Sequence, residues 1–98
     1  MIDGGIVRLP VSDVNASVRF YVETLGMKLV ELSEGSAVID CGDGFRIALT
    51  EGRAAVGLYP KMPLAESRAI LENRGIAFDD KNHFVDPDGN YLYLAPRS

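Results

Sequence analysis

The chain has 98 residues, of which 47% are hydrophobic and 24% charged, and this predicts one globular domain with a single core. It contains no apolar run of about 18 residues and no basic start followed by an apolar core, so neither a membrane span nor a signal peptide is predicted. A net charge of −4 without a basic patch argues against nucleic acid as the main partner.

The first half of the chain predicts a strand, a helix and three further strands. Met1–Gly5 is a polar start, and Ile6–Val11 then alternates as a strand does. Either residue of Ser12-Asp13 can cap the following helix, which Gly26 ends. The later strands and the turns between them are Met27–Leu32, Ser33-Glu34-Gly35, Ser36–Cys41, Gly42-Asp43-Gly44 and Phe45–Thr50.

The second half repeats this order. Ala55–Tyr59 alternates as a strand, and a helix runs from Pro63 to about Arg74, with Gly75 as its stop. Three short strands follow: Ile76–Phe78, His83–Val85 and Tyr91–Ala95. The sequence therefore predicts one domain over residues 1–98, with module 1 at about 5–51 and module 2 at about 54–98.

The last strand and the turn before it repeat a pattern found near mid-chain. Asp86-Pro87-Asp88-Gly89-Asn90 has the residues of a tight turn, because Pro presets φ, Asp bonds nearby N–H groups and Gly supplies φ > 0. Asp43-Gly44 occupies the same place before the Phe45–Thr50 strand. One structural unit has therefore been used twice.

Three separated motifs carry a resemblance to a known family. Val11–Tyr21, Leu25-Gly26-Met27 and Asp86–Asn90 resemble the signature of the vicinal oxygen chelate superfamily. It includes glyoxalase I, bleomycin-resistance proteins, fosfomycin-resistance enzymes and extradiol dioxygenases. The resemblance implies an α+β fold of two tandem βαβββ modules, whose strands form a cupped mixed sheet around a ligand cleft, usually in a homodimer.

The resemblance also implies where a divalent metal would be held in the family's enzymes. Residue-by-residue alignment places the four ligand positions at Ile6, Ala48, Ala55 (within about a residue) and Tyr93. None of these can ligate a hard or borderline divalent ion in the usual way. We therefore expect no metal and no cofactor, and we favour a protein that is not an enzyme.

Strand alternation separates a core face from a cleft face. The expected core residues are Val7, Leu9, Val11, Ile47, Leu49, Val56, Leu58, Leu92 and Leu94. The cleft face would then carry the candidate ligand-binding residues Arg8, Arg46, Ala48, Tyr59, Tyr91 and Tyr93, together with Ile6, Thr50, Ala55 and Gly57. Tyrosines stack on planar ligands and arginines pair with carboxylate or phosphate. The alternative is that these side chains close the cup without a ligand.

Other reactive residues favour structural roles. His83 is the only histidine, and without a positioned partner it is more often a hydrogen-bonded residue than a base or metal ligand. Cys41, the only cysteine, fits a semi-buried strand position and a reducing cytoplasm, and turn formation explains Asp86 and Asp88.

Two functions from different classes follow. The first is a metal-free small-molecule binding protein like the bleomycin-resistance proteins, which sequesters an antibiotic-like or aromatic compound in a dimer cleft. The second is a glyoxalase-like lyase or isomerase acting on a small oxygenated substrate, and a purely structural dimerisation module is a third possibility. The expected partners are a small molecule and a second copy of the chain.

Overall fold

A computed structural model describes residues 1–42 and 44–96, which form seven strands and two α-helices. In chain order these are β1 (Ile2–Pro10), α1 (Val14–Arg19), β2 (Lys28–Ser33), β3 (Ser36–Gly42), β4 (Phe45–Thr50), β5 (Ala55–Pro60), α2 (Leu64–Asn73), β6 (His83–Val85) and β7 (Tyr91–Leu94). A π-helical turn, Phe20–Thr24, continues α1. The pairing is mixed parallel and antiparallel, so the α+β fold class is confirmed. None of the helices in the described ranges is long and apolar enough to cross a membrane.

The chain divides into two compact units, and β1 contributes to both. One unit is Ile6–Ala54, and the other combines Met1–Gly5 with the chain from Ala55 onward. In the first unit the strand order is β2-β3-β4-β1, with β1 and β4 parallel. In the second unit the start of β1 is followed by β5, β7 and β6, with β5 and β7 parallel.

Helix ends follow local sequence chemistry. The Oδ1 atom of Asp13 accepts a 3.0 Å hydrogen bond from the N–H of Ala16, which caps α1. Pro63 precedes the first residue of α2, where its missing N–H is not needed. Gly26 and Gly75 take φ values of 75° and 95°, a region that favours glycine and that stops each helix.

A hydrophobic core lies in the Ile6–Ala54 unit. Ala37, Ile39 and Leu49 are buried at its centre. Leu9 and Ile47, both expected in the core, pack against this centre, as do Val14 and Val18 of α1 and other partly buried apolar residues. The alternation of β1 and β4 therefore predicted this side of the sheet correctly.

Two strand predictions were wrong. Ile76–Phe78 forms no strand. The next strand, β6, has only three residues and therefore offers a short edge for pairing. The corresponding strand of the first half, β2, pairs with β3 at five positions. Met1–Gly5, expected to be an irregular start, instead belongs largely to β1, and the carbonyl of Met1 accepts a 2.8 Å bond from the N–H of Lys61. The cause in each case is the available pairing partner, which local composition does not show.

Burial corrects two further expectations. Val56, expected in the core, is 39% exposed, whereas its neighbours Ala55 and Gly57 are buried, so β5 buries the face opposite to the one that alternation predicted. Cys41 is exposed rather than semi-buried. The predicted turn at Gly42-Asp43-Gly44 lies partly outside the described residues, because Asp43 is not among them.

Candidate functional site

One face of the β6–β7 pair carries a histidine and two tyrosines. His83 lies opposite Tyr93 in the antiparallel register, and Tyr93 lies beside Gly57 of β5 in the parallel register. Side chains alternate along a strand, so Tyr91 shares this face, while Phe84 points to the other. The short strands thereby place three rings on one side of the sheet, next to a residue without a side chain.

The three rings are in contact. The imidazole of His83 and the phenol of Tyr91 are stacked, with centroids 4.4 Å apart and planes 8° from parallel. The ring of Tyr93 is tilted by 47° against the imidazole at a centroid distance of 5.2 Å. Both tyrosines are partly exposed, so their rings form an aromatic surface that is accessible to solvent in part.

Asp79 fixes this aromatic surface from the loop before β6. Its Oδ1 atom accepts hydrogen bonds from the N–H groups of His83 (2.9 Å) and Lys81 (2.8 Å), and its Oδ2 accepts the Tyr91 hydroxyl at 2.8 Å. The bond from the His83 backbone, followed by that from Tyr91, lowers the pKa of the Asp79 carboxyl below its ordinary value. An ionised Asp79 thus holds the loop and one tyrosine together.

The imidazole of His83 is itself held in one orientation. Only 8% of the residue is exposed, and Nδ1 lies 2.8 Å from the carbonyl oxygen of Lys81. A carbonyl can only accept, so Nδ1 carries the proton of this bond. The other nitrogen, Nε2, is buried and has no hydrogen-bond partner. His83, Asp79, Tyr91 and Tyr93 are called the His83 cluster below.

Tyr59, the third candidate tyrosine, is more deeply buried than Tyr91 and Tyr93. It is 3% exposed on β5, where Ala55 and Gly57 are also buried and the intervening Val56 is exposed. The ring of Tyr59 therefore supports the inside of this unit and presents little surface of its own, whereas Tyr91 and Tyr93 present theirs.

The candidates Arg8, Arg46 and Ala48 belong to the Ile6–Ala54 unit. In the parallel register of β1 and β4, Arg8 lies beside Ala48, and Arg46 lies beside Ile6. Alternation puts all four on one face, and Ala48 has the smallest side chain among them. Arg8 donates from Nε to the carbonyl of Arg53 at 2.7 Å, which anchors its side chain.

A cavity that the sequence did not indicate lies beside α2. It has a volume of about 220 Å³ and is lined by Leu64, Ala65, Arg68, Phe78, Asn82 and Leu94. The guanidinium of Arg68 lies 4.6 Å from the centre of the Phe78 ring and also donates to the side-chain oxygen of Asn82. Leu94 lies on the face of β7 opposite Tyr93, so this cavity is separate from the His83 cluster.

Sequence reasoning also missed Asp79, whereas His83 is hydrogen-bonded, as the sequence predicted. The available signal was the run Asp79-Asp80-Lys81-Asn82, since an Asp followed by a polar turn bonds nearby N–H groups. The stacking of His83 on Tyr91 had no such signal, because it depends on which strands pair.

Comparison with known proteins identifies the family. The model of the Glyoxalase/Bleomycin resistance protein/Dioxygenase superfamily matches residues 5–78. The chain belongs to this superfamily. The expected family resemblance is thereby confirmed.

Solved structures share the fold. An NAD-dependent benzaldehyde dehydrogenase structure from Legionella pneumophila matches with a TM-score of 0.70 and 18% identity, covering 92% of this chain and 96% of that one. A glyoxalase/bleomycin resistance protein/dioxygenase superfamily member from Vibrio splendidus 12B01 matches with a TM-score of 0.62 and 17% identity, covering 96% and 97%. Identities this low show a common fold and nothing about function.

A curated relative shares a more similar but shorter segment. A nitric oxide reductase FlRd-NAD(+) reductase from Aeromonas salmonicida is 43% identical over 56 residues, which is 47% of this chain. The match spans only 14% of the length of that relative. It therefore concerns a small part of the reductase.

The positions aligned with the superfamily's metal ligands do not fit a divalent ion. Ile6, Ala48 and Ala55 have hydrocarbon side chains, which donate no electron pair, and Ile6 and Ala55 are buried. Tyr93 offers a phenol, and its ring contacts His83. Across residues 1–42 and 44–96, no three His, Cys, Asp or Glu side chains are grouped so that they could hold a metal ion.

Proposed function

We propose that this superfamily member is a metal-free small-molecule binding protein that sequesters a planar aromatic compound, such as an aromatic antibiotic. The stack of His83 on Tyr91, with Tyr93 tilted beside it, is the observation that carries the proposal. Aromatic rings prefer offset-stacked or edge-to-face neighbours, and this surface offers both orientations to a ligand ring.

The rigidity of the His83 cluster supports this proposal, in addition to its aromatic composition. Asp79 fixes the loop before β6 and the Tyr91 hydroxyl, and the carbonyl of Lys81 fixes the imidazole. A surface held in its bound geometry loses less entropy when a ligand docks, so binding is tighter for the same contacts. The proposal also keeps Tyr59, which is buried on β5, as a ligand-binding residue.

The proposal also keeps Arg8, Arg46 and Ala48 as ligand-binding residues of the other unit. Guanidinium groups pair with carboxylates or phosphates in two-pronged hydrogen bonds, and a small neighbour leaves room for such a group. We accordingly propose that the Ile6–Ala54 unit binds a carboxylate or phosphate group. The proposed protein works without a cofactor, as a homodimer, in the cytoplasm. We do not propose the reductase activity of the curated relative for this chain, because the match covers only 14% of the length of that relative.

Ligand-observed NMR with a panel of aromatic carboxylates tests the proposal. We expect at least one compound to bind, and Tyr93→Leu to weaken it about tenfold, because stacking contributes about 0.5–1.5 kcal/mol beyond buried area. Arg46→Ala tests the Ile6–Ala54 unit separately, and it should weaken the binding of an anionic compound to that unit. The control is Phe45→Leu, which removes another exposed aromatic ring, from β4, and should leave the affinity unchanged.

Two results would count against this function. If none of the panel binds, or if Tyr93→Leu and Phe45→Leu have equal effects, the proposed site is wrong. If a compound binds and its spectrum then changes with time, the lyase or isomerase alternative gains support. The observation that favours that alternative is the fixed proton on Nδ1 of His83, which leaves Nε2 as a potential base.

A further inference from the structure

The Nε2 atom of His83 is a buried nitrogen without a hydrogen-bond partner in the structure. Buried polar atoms in native proteins almost always have a partner, so an exception calls for an explanation. The atom does not belong to a mobile surface side chain, because the residue is 8% exposed and its ring is stacked on Tyr91.

The groups around the imidazole determine whether Nε2 donates or accepts a hydrogen bond. The bond from Nδ1 to the carbonyl of Lys81 places the ring proton on Nδ1. In the neutral imidazole Nε2 is then a lone-pair acceptor. Asp79 lies on the Nδ1 side of the ring, 4.0 Å away through Oδ1, and both of its carboxylate oxygens already accept hydrogen bonds. Asp79 is therefore not the missing partner of Nε2.

We propose that Nε2 of His83 accepts a hydrogen bond from the bound ligand. This narrows the ligand class to planar aromatic compounds with an O–H or N–H donor on the ring, of which a phenol is the simplest. The inference rests on the function proposed above and adds a specificity determinant to it. Because Nε2 is buried, this bond requires a neighbouring side chain to move, and the half-buried ring of Tyr93 contacts the imidazole.

The ligand requires a hydrogen-bond donor because a buried acceptor is more stable when it is hydrogen-bonded than when it has no partner. A ligand that places an O–H on Nε2 supplies the missing hydrogen bond, whereas the methyl ether of the same ligand leaves the acceptor buried and unpaired. A site built to hydrogen-bond a hydroxyl rejects analogues lacking the hydroxyl more strongly than an apolar pocket does. Two probes that differ only in this group therefore isolate the contribution of His83.

The experiment compares 4-hydroxybenzoate with 4-methoxybenzoate, using calorimetry for affinity and the imidazole ¹⁵N resonances for the proton positions. In the free protein we expect Nδ1 of His83 to carry a proton. Addition of 4-hydroxybenzoate should shift the Nε2 resonance, and this probe should bind about tenfold more tightly than the ether. In His83→Phe, which keeps a ring against Tyr91, the preference should disappear.

The outcomes separate this inference from the proposed function. A proton on Nε2 in the free protein, or an unchanged preference in His83→Phe, overturns the role of His83 while both probes still bind. Failure of the wild-type protein to bind either probe or any other aromatic carboxylate overturns the proposed function, and the inference with it. If His83→Phe does not fold, as judged by its melting curve, His83→Leu removes the same acceptor and replaces it in the comparison.

Discussion

Gly5 lies where two stretches of backbone approach closely. A Cβ atom built on this residue would lie 2.9 Å from the carbonyl oxygen of Gly57, closer than real Cβ contacts come. The oxygen is a backbone atom and the position of a Cβ is fixed by the backbone, so this contact cannot be relieved by rotating a flexible side chain. The unit that contains β5 therefore requires glycine at position 5 for its packing.

We predict that Gly5→Ala lowers the free energy of unfolding by about 1–3 kcal/mol, because the added methyl group overpacks this contact. Urea unfolding followed by circular dichroism measures the change. Gly52→Ala is the matched control, since its Cβ would meet Thr50 Cγ2 at 3.5 Å, an ordinary contact. Equal effects of the two substitutions would show that the close approach to Gly57 is unimportant.

At the scale of elements, the turn before β7 is held by one carboxylate. Oδ1 of Asp86 accepts hydrogen bonds from the backbone N–H groups of Asp88 and Asn90, each at 2.9 Å, and Oδ2 accepts the Asn90 side-chain amide at 2.8 Å. The Asn90 side chain, followed by its backbone N–H, lowers the pKa of Asp86. This turn places Tyr91 at the start of β7.

These bonds predict a pH dependence of stability. The pKa values of Asp79 and Asp86 are lower in the folded chain than in the unfolded chain, so their stabilisation is complete above the unfolded value of about 3.9. It is lost as the pH falls through the lower folded values. We expect the unfolding free energy to decrease across this acid range, and Asp86→Asn to flatten the decrease.

Unfolding curves in urea at several acid pH values measure this slope. Asp88→Asn is the control, because Asp88 takes part in the turn through its backbone N–H. If the slopes of the wild type and Asp86→Asn coincide, the carboxylate of Asp86 does not have the proposed role in acid stability.

Elements set by local chemistry were predictable, and those set by distant partners were not. Asp13, Gly26 and Gly75 mark helix ends through groups within a few residues, so the sequence alone located them. Ile76–Phe78 has the apolar composition of a strand but lacks a sufficient pairing edge. In the same way, the tyrosines of β7 were predicted as ligand-binding residues, whereas the stack on His83 required the pairing of β6 with β7.

At the scale of the whole molecule, β2 has the character of an interface. It is the end strand of the Ile6–Ala54 unit, all six of its residues are exposed, and these include Leu29, Val30 and Leu32. An exposed apolar edge strand presents unpaired backbone groups to another chain, and natural proteins usually protect such edges. Homodimerisation along β2 is consistent with the dimer proposed above.

We predict that the 10.6 kDa chain elutes as a dimer and that Leu32→Lys shifts it towards the monomer, as measured by size-exclusion chromatography with light scattering. A charged residue in a desolvated interface is costly, which is the reason for the expected shift. Val85→Lys on β6 is the control, since Val85 and Leu32 are 52% and 53% exposed. A monomeric wild type, or equal effects of both variants, would contradict an interface at β2.

The division of β1 between the two units has a consequence for synthesis on the ribosome. Ile6–Ala54 is continuous in sequence, so this unit can close as soon as β4 has emerged. Met1–Gly5 emerges before Ile6–Ala54, yet the unit to which it belongs cannot form until the chain beyond Ala55 has been made. Met1–Gly5 therefore waits longer for its partners than the residues that follow it in β1, and the second unit, which carries the His83 cluster, forms after the first.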